Sequence, residues 1–209
     1  MNTGLLPRLM GFALALVVGG AAAGSAAEGD AAAMARVERY LNGITTLKAD
    51  FLQVAHDGSV GEGTLFISRP GKLRLEYAPP LAILLVSDGE WLTYIDRELG
   101  QVSQTPLNTT PAGMLLRERI EFGRDAIVTR FERANAVLRI TLVQRARPDE
   151  GSLTLVFSEE PLELRQWFLV DPQGLETRIT LFGTRLGLPL NPELFAAPPP
   201  FPDDDGNGR

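Results

Sequence analysis

The feature that most constrains this chain is an alternation of apolar and polar residues with a period of two, which begins near Lys48 and continues to about residue 183. Eleven candidate strands follow one another: 48–55, 61–68, 72–78, 82–87, 90–96, 101–105, 125–132, 136–144, 152–157, 163–170 and 175–183. Short turn signals such as "RPGK", "SDGE" and "DPQG" separate them. Because short connections join antiparallel neighbours, the pattern predicts a mainly β, antiparallel meander.

Helical spacing occurs in two places only. The segment "DAAAMARVERYLNGI", residues 30–44, has apolar residues three and four apart, so we expect an amphipathic helix with Asp30 as its N-cap and Gly43 near its end. The segment "TPAGMLLRERI", residues 110–120, interrupts the strand pattern and opens with Thr-Pro. We expect it to form a short helix on a long connection.

Several strands are apolar on both faces, notably "AILLV" at 82–86 and "WLTYI" at 91–95. Two helices, each about 10–12 Å wide, cannot cover a flat eleven-stranded sheet that would be roughly 50 Å across. Either the sheet curls around the helices and leaves a concave apolar interior, or it forms a well-packed sandwich that covers itself. The pattern alone leaves both architectures open.

The length of 209 residues suits one domain. Arg8, an apolar run and the small residues "SAA" follow the order of a secretory signal peptide, so we expect residues 1–27 to be removed by cleavage near Ala27. The alternative is an uncleaved anchor. Residues 28–200 then form the domain, and residues 201–209 form a disordered acidic tail.

The chain contains no cysteine, which excludes disulfides, thiolate metal sites and a lipidated N-terminal cysteine. Loss of residues 1–27 removes Arg8 alone among charged residues and changes the formal net charge from −6 to −7. An acidic balance argues against nucleic acid as a partner and gives no general attraction to anionic lipid headgroups.

The sequence offers no recognisable catalytic or metal-binding set. His56 is the one histidine and stands beside Asp57 and Ser59 in a turn, where we expect it to be solvated. The "DDDGNG" stretch at 203–208 lacks the distal Glu of a calcium loop. We therefore expect no enzyme activity, no cofactor and no metal.

Three stretches in order, "GTLFISRPGKLRLEY", "LLVSDGEWLTYIDRELGQV" and "TPAGMLL", closely resemble the periplasmic outer-membrane lipoprotein carrier (LolA-type) family, and the likeness extends to "NPELF". The resemblance implies an incomplete, curled antiparallel β-barrel of about eleven strands with a helical lid. Such a barrel encloses an apolar cavity for acyl chains. It implies a lipoprotein chaperone and shuttle rather than an enzyme.

The resemblance also implies partners and a location. In the periplasm, the protein would receive acylated lipoproteins from an ATP-driven inner-membrane exporter. It would pass them, as a monomer, to an outer-membrane receptor lipoprotein or directly to that membrane. Two alternatives remain: a carrier or sensor of another amphiphile on the same fold, and a periplasmic hydrolase.

By matching position, the resemblance assigns Arg69 to closure of the lid through hydrogen bonds to lid backbone. It implies a cavity wall that includes Leu65, Ile67, Leu73, Leu75 and Tyr77, and lid side chains that include Met114, Leu115 and Leu116. Leu73 and Leu75 stand where family members often carry aromatic residues. Each wall residue has an alternative as ordinary core packing.

Overall fold

The computed structural model describes residues 21–198, and side chains from residue 28 onward. Residues 1–20 of the predicted signal peptide and the predicted tail lie outside the described residues. The chain forms helix α1 (Ala21–Gly43), strands β1 (Thr46–Val54), β2 (Val60–Ser68), β3 (Lys72–Tyr77), β4 (Ile83–Asp88), β5 (Trp91–Asp96) and β6 (Gln101–Pro106), a 3-10 turn (Leu107–Thr109), helix α2 (Ala112–Leu115), strands β7 (Ala126–Ala134), β8 (Val137–Gln144), β9 (Ser152–Glu159), β10 (Leu162–Val170) and β11 (Glu176–Leu186), and a second 3-10 turn (Pro192–Phe195).

The predicted strands are confirmed, with ends that differ by at most three residues. The prediction that Asp30 caps α1 is wrong, because the helix already contains Ala21 and Asp30 lies inside it. The alanines before Asp30 have high helix propensity and extend the helix upstream. Helix α2 is shorter than the predicted 110–120, since the carbonyls of Arg117 and Glu118 accept tertiary hydrogen bonds.

All eleven strands form one antiparallel sheet in the order β6-β5-β4-β3-β2-β1-β11-β10-β9-β8-β7. Strands β6 and β7 are its edges and are not paired with each other. Residues 107–125, which we call the crossing segment, lead from the end of β6 to the start of β7. The sheet is therefore an incomplete barrel, and the crossing segment joins its two free edges.

The sheet is strongly curled. Leu75 on β3 and Leu153 on β9 line the same cavity, although β3 and β9 stand five positions apart in the sheet. In a flat sheet, five steps of about 4.8 Å would separate these strands by roughly 24 Å. The curled architecture is thus the correct one of the two that the pattern allowed.

The inner face of the barrel is one continuous apolar core. Rows of paired residues cross it, such as Leu47, Ile67 and Leu73 on β1, β2 and β3. Helix α1 contributes Val37 and Leu41, both fully buried in the same core. Helix α1 runs along the barrel end that holds the β2–β3 and β9–β10 turns.

The second apolar face of β4 and β5 is covered from outside. Leu84, Val86 and Ile95 form a separate buried cluster on the outer face. The C-terminal 3-10 turn lies against β3 and β4, and Arg74 Nη1 on that face donates a 3.1 Å hydrogen bond to Leu194 O. The C-terminal segment therefore supplies cover that the helices do not. None of the helices in the described part of the chain combines the length and hydropathy that a bilayer span requires.

Candidate binding cavity and its lid

The barrel encloses a cavity of about 270 Å³. Most of its lining is apolar: Leu73, Leu75, Leu85, Ala112, Leu115, Leu116, Leu153, Trp167, Leu169 and Ile179. Strands β3 and β4 form one wall, strands β9, β10 and β11 form the opposite wall, and the crossing segment lies between them. The volume is just below the roughly 300 Å³ at which small-molecule pockets begin.

The wall residues implied by the resemblance divide into two groups. Leu73, Leu75 and Tyr77 alternate along β3 and line the cavity. Leu65 and Ile67 lie on the adjacent strand and share the inner face, but they are fully packed in the core and do not line the cavity. A ligand-binding role for any of the five stays a prediction.

The three lid side chains also differ in position. Leu115 and Leu116 project into the cavity, whereas Met114 borders a void of about 10 Å³ beside Leu41 and Ile120. All three are buried. Consecutive residues of a helix point in directions about 100° apart, so a single turn of α2 packs against α1 and also fills part of the cavity.

Arg69, in the turn between β2 and β3, contacts both the end of α1 and the crossing segment. Its Nε donates to Arg117 O at 2.7 Å, and its Nη2 donates to Glu118 O at 3.2 Å. Its Nη1 donates to Leu41 O and, at 3.2 Å, to Ile44 O. One guanidinium therefore holds both the end of α1 and the crossing segment. Partial burial lowers the pKa of Arg69 below its ordinary value, although a guanidinium remains protonated at neutral pH.

Asn42 makes a second link at the same place, which the sequence did not predict. Its Nδ2 donates to Ile120 O at 2.8 Å, and its Oδ1 accepts from Ile120 N at 2.9 Å. Gly71 N, beside Arg69, donates to Leu116 O at 2.7 Å. An asparagine near a helix end is usually assigned to local capping, so no sequence signal pointed to a partner 78 residues away.

Helix α1 is anchored at a second point by an ion cluster. Glu159, whose side chain is 9% exposed, accepts from Arg36 Nη2 at 3.1 Å and from Arg133 Nε at 3.2 Å. Hydrogen bonding to Arg133 lowers the pKa of Glu159 below its ordinary value. One turn further along α1, Tyr40 Oη accepts from Leu164 N at 3.1 Å. The helix is thus fixed to β7, β9 and β10 here, and to the crossing segment at its C-terminal end.

Polar residues occupy one part of the cavity lining. They are Gln53, Tyr77, Tyr94 and Thr177. Tyr77 Oη donates to Gln53 Oε1 at 2.6 Å, and burial raises the pKa of Tyr77 to about 12, so the phenol is neutral at physiological pH. The sequence singled out Tyr77 alone among these four residues.

The mostly apolar lining of the cavity can enclose an apolar ligand. His56 is exposed in the β1–β2 turn, far along β1 from the crossing segment. In the same range, no group of three or more His, Cys, Asp or Glu residues is placed to hold a metal ion.

Comparison with known proteins finds relatives of this chain by sequence. A sequence profile of the family described as "Outer membrane lipoprotein carrier protein LolA" matches residues 42–198. The chain is 33% identical to an outer-membrane lipoprotein carrier protein of Chromobacterium violaceum, over 86% of this chain and 89% of the relative. It is 30% identical to the protein of the same name from Methylococcus capsulatus, over 85% and 88%.

Among solved structures, a LolA superfamily protein from Nitrosomonas europaea aligns with 10% identity over 78% of this chain and 97% of that chain, at a TM-score of 0.44. The profile spans most of the chain, and the two sequence relatives are matched over nearly their whole length. This chain therefore belongs to the outer membrane lipoprotein carrier protein LolA family.

Proposed function

We propose that this protein is a periplasmic carrier that shields the acyl chains of lipoproteins inside its barrel and delivers the lipoproteins to the outer membrane. The observation that carries the proposal is an apolar cavity enclosed by an incomplete barrel, with a lid held by a few polar contacts at one end. Its relatives are named outer-membrane lipoprotein carrier proteins, which supports the same function.

Shielding is energetically necessary for such cargo. Each methylene group exposed to water costs about 0.8 kcal/mol, so several acyl chains would cost tens of kcal/mol in the periplasm. A cavity of about 270 Å³ is too small to hold those chains as it stands. Binding must therefore displace Leu115 and Leu116 and move the crossing segment away from α1.

The lid contacts also explain how cargo is released. Opening breaks the hydrogen bonds of Arg69 and Asn42 and withdraws Leu115 and Leu116 from the cavity. The cost of these lost contacts lowers the net affinity for acyl chains, since a closed form competes with the loaded one. A receptor or a membrane with higher affinity can then extract the cargo.

The route of the cargo and the processing of the carrier are parts of the same proposal. The cargo comes from an ATP-driven exporter in the inner membrane and goes to an outer-membrane receptor lipoprotein or to the membrane directly. Residues 1–27 act as the export signal, with cleavage near Ala27, and residues 201–209 form an acidic tail. The carrier acts as a monomer and catalyses no reaction.

The direct test adds the purified mature protein to spheroplasts that display labelled lipoproteins, with and without ATP. The expected result is a soluble one-to-one complex that forms only when both this protein and ATP are present. Release of no lipoprotein would contradict the proposal. If the purified protein then carried phospholipid or another amphiphile by mass spectrometry, it would be a carrier or sensor of that ligand instead.

A further inference from the structure

The four polar residues of the cavity lie together at one end of the barrel. Gln53 is the penultimate residue of β1, Tyr77 is the last residue of β3, and Thr177 is the second residue of β11. Neighbouring strands are antiparallel, so these positions share one end of the sheet. That end is opposite Arg69, which lies in the β2–β3 turn. We call these residues, with Tyr94 on β5, the polar pole.

The polar pole contains hydrogen-bonding groups that the described part of the protein does not itself use. The bond from Tyr77 Oη occupies Gln53 Oε1 and not the amide nitrogen of Gln53, and Gln53 is one of the residues that line the cavity. The hydrogen bonds formed within residues 28–198 do not include that nitrogen, the Tyr94 hydroxyl or the Thr177 hydroxyl. Gln53 and Thr177 are half-buried, Tyr94 is exposed, and all three line the cavity, so these groups are accessible to a ligand that enters it.

The cavity lining and its surroundings disfavour a negative charge. None of the lining residues is ionised at neutral pH, because the lining contains no acidic or basic side chain and a tyrosine is neutral at that pH. The turns at this end that connect β1 to β2, β5 to β6, β8 to β9 and β10 to β11 carry more acidic residues than arginines. The acidic residues are Asp57, Glu98, Asp149, Glu150 and Asp171, and the arginines are Arg97, Arg145 and Arg147. An anion brought here would lose its hydration without gaining a cationic partner.

We infer that the polar pole receives the uncharged ester and amide linkages that join acyl chains to a lipoprotein, and that it selects against anionic amphiphiles such as fatty acids and phosphatidylglycerol. Amide and hydroxyl donors suit carbonyl acceptors, which carry no charge. Tyr94 is 37% exposed, so this end of the cavity also gives the peptide portion a way out to solvent. The inference rests on the proposed function and specifies the ligand chemistry that the cavity accepts.

The test measures the affinity of the full mature protein for three probes of equal chain length: a triacylated lipopeptide with an uncharged peptide, palmitate and phosphatidylglycerol. Displacement of N-phenyl-1-naphthylamine from the cavity reports binding. The wild type is expected to bind the lipopeptide at least tenfold more tightly than either anion. The Gln53→Leu, Tyr94→Phe double variant is expected to lose about tenfold in lipopeptide affinity while still binding N-phenyl-1-naphthylamine.

The matched control is Gln166→Leu, the same change on the outer face of β10, where Gln166 Nε2 donates to Thr180 Oγ1 at 3.0 Å. It should leave all three affinities unchanged. Equal affinities of the wild type for lipopeptide and anions, or unchanged affinities in the double variant, would overturn this inference and leave the carrier function standing. No lipopeptide binding by the wild type would contradict the carrier function itself. If the double variant shows no cooperative unfolding transition and is therefore not folded, the test is repeated with Tyr94→Phe alone, which changes only a partly exposed side chain.

Discussion

At the scale of single residues, Arg69 holds two distant segments of the chain at one place. A guanidinium has five donors in a rigid fork, so it can hold carbonyls from two segments at the same time. Here it holds Leu41 and Ile44 at the end of α1, and Arg117 and Glu118 in the crossing segment. Lysine, with a compact ammonium on a flexible stem, cannot reproduce this geometry.

Replacing this residue tests the release step. Arg69→Leu removes the contacts that favour the closed form, so acyl chains no longer compete with them. We expect the variant to take up lipoprotein as the wild type does but to transfer it to acceptor vesicles at least tenfold more slowly. Uptake and transfer are measured separately with labelled lipoprotein.

The control for this experiment is Arg130→Leu, which changes an exposed arginine that pairs with Glu132 on the same strand. It should transfer cargo normally. Normal delivery by Arg69→Leu would falsify the role assigned to this guanidinium.

The contribution of Glu159 to the stability of the fold depends on pH. Its pKa is lowered in the folded protein, chiefly by the hydrogen bond to Arg133. A lowered carboxyl pKa stabilises the fold above the ordinary glutamate pKa of 4.5, and the stabilisation is lost as the pH falls through the lower, folded value. Docking of α1 to β7 and β9 should therefore weaken in acid.

The corresponding prediction compares Glu159→Gln with the wild type. We expect the variant to be less stable at pH 7, because Arg36 and Arg133 lose their charged partner. The difference in the free energy of unfolding should shrink as the pH falls below 4.5. Urea denaturation at several pH values measures it. A difference that stayed constant with pH would show that Glu159 carries no pH-dependent contribution.

At the scale of elements, the crossing segment is the part of the chain that we propose to act as a lid. It consists of a 3-10 turn, the four-residue α2 and irregular chain. Polar contacts join it to α1 through Arg69, from Asn42 to Ile120 and from Phe122 N to Glu38. Its own packing is tight at Gly113, where a Cβ would lie 2.3 Å from Leu107 O. Segments with few regular hydrogen bonds open at a lower free-energy cost than a β-sheet does.

Because Gly113 packs so closely against Leu107, a substitution there can weaken the packing of α2 without changing Arg69 or Asn42. Gly113→Ala forces α2 away from the 3-10 turn, and overpacking of this kind typically costs about 1–3 kcal/mol. We expect a lower melting temperature and faster entry of N-phenyl-1-naphthylamine into the cavity. Stopped-flow fluorescence measures the entry rate.

Gly43→Ala provides the control, because a Cβ at Gly43 meets no atom within 4 Å. Its stability and probe entry should match those of the wild type. If Gly113→Ala lowered stability but left the entry rate unchanged, α2 would be a structural element and not part of the gate.

At the scale of the whole molecule, the barrel is covered from two sides by different parts of the chain. Helix α1 and the crossing segment cover the inside, and the C-terminal segment lies outside against β3 and against β4, the strand that carries Leu84 and Val86 of the outer cluster. In the proposed function, the inner cover opens when cargo binds, whereas the outer cover stays in place. A carrier therefore keeps its sheet intact while its cavity is exposed.

The outer covering can be tested through Phe195, which is 3% exposed. Phe195→Ala leaves a cavity beneath the C-terminal segment, and truncations of buried phenylalanine cost about 3–5 kcal/mol. We expect a loss of stability in that range, with little change in lipoprotein transfer at temperatures where the variant remains folded. Thermal unfolding and the transfer assay provide the two readouts. A selective loss of transfer with unchanged stability would mean that the outer cover belongs to the functional site.

Much of the architecture was determined by local pattern. The period of two and the short turn signals specify the strands and their antiparallel order, because both depend on residues close together in sequence. The exposed turn of His56 follows from the same turn signals, whereas the lining positions of Leu73 and Leu75 were implied by the family resemblance. Asp30 shows the limit of local rules, since it has the chemistry of a cap but the helix continues through it.

The sequence by itself thus determined an antiparallel β architecture with a short helical insertion, either a curled sheet or a sandwich that covers itself. The family resemblance favoured the curled sheet. Only the tertiary structure decided the partners of Asn42, 78 residues away, the partners of Glu159, up to 123 residues away, and the cover over the outer face of β4. The polar pole likewise exists only after curling brings β1, β3, β5 and β11 around one cavity. Periodicity reports which face of a strand is apolar, but contact between distant faces depends on how far the sheet curls.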